Sequence, residues 1–168
     1  MPRSFELSAS YPVSVGRVMA AFSDEQYWLA RLEDSGADSA TLDSMTVQHD
    51  GRVIVATTQA LRPDRLPAMV TQFHRGDLQI LRNESWGPVR NGIAHAEVGG
   101  SVRGAPVSLA GTAELAPSAT GSRLTFSATV EVNIPLVGGK LEGFIGGKLA
   151  ELVTAEQRFT TVWIAGNG

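Results

Sequence analysis

The sequence predicts an α+β fold in the order one strand, two short helices, six strands and one long helix. Three observations predict it. Residues 122–134 alternate without a break, with Leu124, Phe126, Ala128, Val130, Val132 and Ile134 on one side and Thr125, Ser127, Thr129, Glu131 and Asn133 on the other. A period of two marks a half-buried strand. The run IPLVGGKLEGFIGGKLAELVTAEQRFTTVWIAGNG, from Ile134 to the end, reads as an amphipathic helix. Between residues 42 and 122 the apolar runs are short and separated by tight turn signals, so neighbouring strands pair antiparallel. One face of such a sheet needs a cover, and the terminal helix is long enough to provide it.

The remaining elements follow in order. Arg3 to Tyr11 alternate, with Phe5, Leu7 and Ala9 on one side, and Pro12 ends that strand. Val15, Val18, Met19 and Phe22 recur at helical spacing behind Ser14, a suitable N-cap. Asp24 can cap a second short helix that buries Trp28 and Leu32 and stops at Gly36. Strands at 42–49 and 52–61 flank Asp50-Gly51, the signature of a two-residue type I′ hairpin. The prolines of the stretch 62–67 forbid regular helix or a central strand there. Four more strands are expected at 77–86, 91–98, 106–116 and 122–134. Turns are expected at Gly87-Pro88, from Gly99-Gly100 to Gly104, and from Pro117 to Gly121.

Composition bounds the function. The 168 residues suit one domain, 1–168, and 43% apolar with 18% charged residues is the balance of a globular chain. A net charge of -3 offers no field for nucleic acid, and the twelve arginines are spread from Arg3 to Arg158 without a run. Cysteine is absent, which excludes disulfides, thiolate chemistry and Cys-based zinc sites, and tilts the expectation to the cytoplasm. The opening MPRSFELSAS lacks the apolar region of a signal peptide, and no stretch approaches the ~18 apolar residues of a membrane span, so no integral membrane association is expected.

On a helical wheel Leu141, Ile145, Leu149, Leu152, Phe159 and Trp163 fall within roughly 80° and form the face turned to the sheet. If 139–164 is all helical, the rod is about 39 Å long. Gly139, Gly143 and Gly147 repeat every four residues, away from that arc, with Gly146 beside them. Each interior glycine costs about 0.8–1 kcal/mol relative to Ala, so the set needs a reason. A phosphate loop fails, because Gly147-Lys148 is followed by Leu149. A membrane dimerisation stripe fails on Lys140, Glu142 and Lys148. Close backbone approach or an irregular start is the plain reading, and room at a cavity mouth is the functional one.

Candidate chemistry is sparse. His49, His74 and His95 lie on separate elements without metal-ligand spacing, so no metal and no cofactor are expected. His95 shares a strand side with Ile93 and Glu97; an exposed or hydrogen-bonded imidazole is the preferred reading. Arg82, Glu84 and Trp86 share a side with Leu78 and Ile80. Facing inward, the Arg–Glu pair would be a functional candidate, since buried charges are costly unless paired; surface placement is the preferred reading. No Gly-x-Ser-x-Gly elbow and no Gly-x-Gly-x-x-Gly turn occurs. Trp28, Trp86, Trp163, Phe73 and Phe144 are candidates for a cavity wall, with ordinary core packing as the alternative.

Three pieces carry a family resemblance: the opening FELSASYPVSVGRVMAAFSD, where a strand meets a helix through Tyr-Pro; the last strand, ending Asn133-Ile134-Pro135; and the final helix, ending FTTVWIAG. With the element order, they resemble the helix-grip fold of the START and birch-pollen-allergen superfamily, also called SRPBCC, and within it an actinobacterial branch similar to the polyketide cyclase/dehydrase-like members. The resemblance implies a seven-stranded curved antiparallel sheet around the C-terminal helix, with a hydrophobic cavity between them. Members bind lipids, sterols, plant hormones or polyketides, and some catalyse cyclisation, dehydration or hydrolysis. None of their catalytic motifs matches here. The expected function is therefore binding, transport or sensing of a hydrophobic small molecule, with Trp28, Phe73, Trp86, Phe144 and Leu149 as wall residues. The alternatives are a cyclase- or dehydratase-type enzyme, for which His95, Glu84 and Arg82 are the candidate acid–base groups, and an interaction module dimerising through the glycine edge. Either a monomer or a homodimer is compatible with these readings.

Overall fold

A computed structural model describes residues 2–167. The chain runs β1 (Arg3–Tyr11), α1 (Val15–Phe22), α2 (Glu25–Asp34), β2 (Ser39–Val47), β3 (Val53–Leu61), a 3-10 turn (Pro63–Arg65), the one-turn helix α3 (Ala68–Thr71), β4 (Leu78–Trp86), β5 (Ala94–Val102), β6 (Val107–Ser118), β7 (Gly121–Val132) and α4 (Gly138–Asn167). The seven strands form one antiparallel sheet in the order β1-β7-β6-β5-β4-β3-β2. This is the expected helix-grip α+β fold. Consecutive strands pair as hairpins except β1, which crosses the molecule to pair with β7, from Arg3 opposite Val130 to Tyr11 opposite Ser122.

Both short helices begin on their predicted caps. The Ser14 Oγ accepts from the Arg17 N–H at 3.3 Å, and the Asp24 Oδ1 from the Gln26 N–H at 2.9 Å. Each carboxylate or hydroxyl satisfies a donor that the first turn leaves without an intrahelical partner. Behind α2 the chain reverses at Gly36, with φ +78°.

Two turns differ from expectation. Asp50 does not adopt positive φ, so the β2–β3 turn is not type I′; Gly51, at φ +95°, donates to the Gln48 carbonyl, and the Asp50 carboxylate accepts from the Arg52 N–H. The type I′ geometry falls instead at Asn91-Gly92, both with positive φ and closed by reciprocal Arg90–Ile93 hydrogen bonds. Those residues were expected to start β5. The glycines expected to end β5 lie inside it: Gly99 and Gly100 pair with Ala110 and Leu109, and the chain turns only at Gly104. The exposed Asn83 side chain lies over Gly99, where a Cβ would sit 2.6 Å from its Oδ1 and push it aside.

Helix α4 lies on β1 and β7, with its buried face turned from the predicted arc. Gly138, Leu141, Glu142, Gly146, Thr160 and Ile164 are buried, whereas Ile145, Leu149, Leu152, Phe159 and Trp163 are only half-buried. The buried line is rotated by roughly 60° toward the glycine edge. Two glycines explain the rotation. A Cβ on Gly138 would meet the Val132 carbonyl oxygen at 2.4 Å, and one on Gly146 would meet the Phe5 ring at 2.1 Å. The helix is thus gripped where it has no side chains, and the glycine edge is not set apart from the sheet.

The core divides between the two ends of the sheet. At one end Phe22, Tyr27, Trp28 and Trp86 pack ring against ring, with Phe159 and Trp163 of α4 beside Tyr27. At the other, Val130, Val132 and Leu141 pack with Phe5, Met69, Ile145 and Leu149.

Candidate functional site

Between these ends the inner face of the sheet carries charge. In β4 the residues facing α4 are Leu78, Ile80, Arg82, Glu84 and Trp86; Glu84 and Trp86 are buried and Arg82 is half-buried. The preference for a surface Arg82–Glu84 pair is therefore corrected. The strand's parity is set by Trp86, whose large ring must enter the aromatic core, and a period of two then carries Glu84 and Arg82 inward with it.

The pair is joined by two charges from the helices. The Arg82 Nη1 donates to the Glu156 Oε2 at 2.8 Å and its Nη2 to the Glu84 Oε2 at 3.3 Å. Arg31 from α2 pairs closely with the Glu156 Oε1 and lies 3.8 Å from the Glu84 Oε2. The Trp86 Nε1–H holds the Glu84 Oε1 at 3.1 Å. Side-chain exposures are 11% for Arg31, 18% for Arg82, 10% for Glu84 and 22% for Glu156, so the cluster sits inside the fold with its Arg82–Glu156 edge the more open.

Tyr27 and Thr160 brace it. The Thr160 hydroxyl donates to the Glu156 carbonyl at 2.7 Å, so it accepts the Tyr27 O–H at 2.6 Å, and Tyr27 in turn accepts from the Arg31 Nη1 at 3.3 Å. The Arg31 guanidinium also lies 4.8 Å from the Trp28 ring centroid, a cation–π contact.

These surroundings fix the charges. Burial alone would raise the Glu156 carboxyl, but Arg31 and Arg82 outweigh it and lower its pKa to about 2. Burial works against the protonated forms of Arg31 and Arg82, and the neighbouring carboxylates overcome it, holding both above the ordinary arginine value. Burial keeps Tyr11 and Tyr27 protonated, with pKa values raised from the ordinary phenol range.

Beside the cluster the interior is loosely covered. Ile80, Val98, Val102 and Leu109 point to the inner side of the sheet, and Leu149, Leu152 and Val153 lie on α4, yet all are only half-buried. The cross-strand row Thr57, Arg82, Gly100, Leu109 and the next row Val55, Glu84, Val98, Gly111 each contain a glycine, so the middle of the sheet presents no side chain at two inner positions. A shallow open depression on the outer face of the sheet has a mixed lining, with Ser4, Glu6, Asn83 and Glu97 beside Ile54 and Ala110.

The remaining sequence candidates are scattered. Trp28 and Trp86 are buried in the aromatic core, the former bonded through its Nε1–H to the Phe22 carbonyl at 2.8 Å. Leu149 touches both core clusters. Phe144 is half-buried with the Lys148 ammonium 5.6 Å from its ring centroid, and Phe73 is exposed behind α3. His95 is on the outer face, 71% exposed and 3.2 Å from Glu114, away from Arg82 and Glu84. Arg31, Glu156, Tyr27 and Thr160 were missed. Arg31 follows Tyr27 and Trp28 by four and three residues, the spacing that puts it on their helical face.

The architecture is that of the helix-grip proteins of the birch-pollen-allergen and START type. Solved structures with the same fold include Ara h 8.0201 (TM-score 0.57, 10% identity, 99% of this chain and 100% of that one) and TTHA0849 from Thermus thermophilus (TM-score 0.59, 16% identity, 100% of both chains). At such identities the likeness is one of fold. The chain belongs to the family described as "Protein of unknown function (DUF2505)", whose model matches residues 6–164. It is 51% identical over 173 residues to uncharacterized proteins of Mycobacterium tuberculosis and Mycobacterium bovis, covering 99% of each chain. Among the described residues no helix is long and apolar enough to cross a membrane.

Proposed function

We propose that the protein binds a hydrophobic small molecule, of lipid or polyketide type, between the inner face of the sheet and α4. The observation that carries this reading is the half-burial of Ile80, Val98, Val102, Leu109, Leu149, Leu152 and Val153, apolar side chains that a closed core would bury. A ligand laid along them removes apolar surface from water at about 25 cal/mol per Å². The Arg–Glu cluster at the end of that surface supplies the few polar groups that orient a ligand in such sites. Binding is favoured over acid–base catalysis because Glu156, at a pKa of about 2, is too weak a base near neutral pH, and arginines there stay protonated.

Trp86, bonded to Glu84 of the cluster, reports on the proposed site. Titration of delipidated protein with a panel of lipids and aromatic polyketides is expected to quench tryptophan emission and to raise the melting temperature. At a hundredfold excess over Kd the stabilisation is about 2.7 kcal/mol. A broad panel that produces neither change overturns the reading.

A further inference from the structure

The charges of the cluster cancel. Arg31 from α2 and Arg82 from β4 face Glu84 from β4 and Glu156 from α4, and every one is paired with an opposite charge. The flanking hydroxyls, Tyr27 and Thr160, are neutral and bonded to each other. Glu142, a buried carboxylate of α4 itself, lies apart from the cluster and is engaged elsewhere, its Oε2 accepting the Val132 N–H at 2.9 Å. We propose that this compensated cluster makes the interior selective for apolar ligands ending in a neutral polar group, such as a hydroxyl, carbonyl or amide, and rejects fatty carboxylates and alkyl amines.

The inference rests on the reading that the interior takes an apolar ligand, and it names the polar end. The open edge of the cluster, Arg82 and Glu156, adjoins the half-buried apolar surface: Ile80 is two residues before Arg82 on β4, and Leu152 and Val153 lie one turn before Glu156 on α4. A ligand along that surface brings its end to those two groups. A carboxylate arriving there adds a negative charge to a site whose two positive charges are already neutralised, in a region short of water, and an ammonium does the same with opposite sign. A hydroxyl adds no charge. It can accept from a guanidinium and donate to a carboxylate, and the pairs described leave the Nε–H of both arginines unused and carboxylate lone pairs to spare.

Displacement of bound N-phenyl-1-naphthylamine by 1-decanol, decanamide and decanoate at pH 7.5 tests the proposal. Decanol and decanamide are expected to displace the dye at concentrations about tenfold or more below that of decanoate, since an uncompensated charge is far costlier to bury than a neutral dipole. The Glu84→Gln variant keeps the side-chain shape and an oxygen for the Trp86 N–H but leaves the cluster with one excess positive charge. In it the decanol-to-decanoate ratio is expected to move toward decanoate by about tenfold. If this variant does not fold, as judged by circular dichroism, the wild-type ratio decides alone. Decanoate binding the native protein as tightly as decanol overturns this proposal and leaves the binding reading standing. Failure of the dye and every decyl probe to bind overturns both.

Discussion

Glu156 shows how much a single side chain depends on its partners. It comes from α4, is held by two arginines of other elements, and has its pKa lowered to about 2 from an ordinary 4.5. Because the folded pKa lies below the unfolded one, its stabilising contribution is fully present above about pH 4.5 and is lost as pH falls toward 2. The contribution at stake is on the order of 3 kcal/mol. Urea denaturation at pH 5 and pH 3 should show a steep loss of stability in the native protein. The loss should be smaller in Glu156→Gln, which starts lower at pH 7 by about 3–5 kcal/mol because two buried guanidinium groups lose a partner. Equal pH dependence in both proteins would contradict the arrangement. That Glu156 turns inward was legible, because the wheel puts it inside the apolar stripe, but its partners lie 125 and 74 residues away, so the cluster it joins was not.

Among the elements, α4 makes the sharpest test of sequence reasoning. Its existence and amphipathic character were legible, and its rotation was not, because a hydrophobic wheel weighs side chains and cannot weigh their absence. The glycines divide by role. Gly138 and Gly146 meet Val132 and Phe5, Gly143 meets the Arg3 guanidinium, and Gly139 and Gly147 face open space. Gly147→Ala should therefore stabilise the protein by about 0.5–1 kcal/mol through helix propensity. Gly138→Ala, at the first position of the helix and with a Cβ that would press on a backbone oxygen, should destabilise it by about 1–3 kcal/mol. Thermal melts of the two variants check the pair, and shifts of the same sign would contradict the packing. The contact of Gly143 with Arg3 of its own chain also occupies part of the edge that the dimerisation reading requires.

For the whole molecule the decisive link is β1 with β7, a pairing of the first strand with the last that also seats α4. Without β1, the edge of β7 and the Gly146 side of the helix lose their cover together. A chain lacking residues 1–11 is expected to aggregate, because an unpaired inner strand is a template for other edges. Size-exclusion chromatography showing a soluble, helical monomer would contradict this. The pairing also joins residues more than 110 positions apart (Tyr11 and Ser122 at the least), which makes closing the sheet a non-local step.

What the sequence determined by itself is the seven strands, the two N-terminal helices and the terminal helix, in their order; the one-turn α3 was not among them. Alternation, caps and turn residues act over a few residues, and β1, β4, β7, Ser14, Asp24 and the terminal helix all follow from such local signals. The turn at Asn91-Gly92 shows the limit even there, since the two Asx-Gly pairs look alike until the strand register chooses between them. Only the tertiary structure decided which side of β4 faces inward, how far α4 turns, and that Arg31, Arg82, Glu84 and Glu156 meet. Those outcomes depend on Trp86 needing the core and on Gly138 and Gly146 admitting the Val132 carbonyl and the Phe5 ring. They depend also on charges from three distant elements balancing in one low-dielectric place, and each of these is a property of the folded chain and of no single stretch of it.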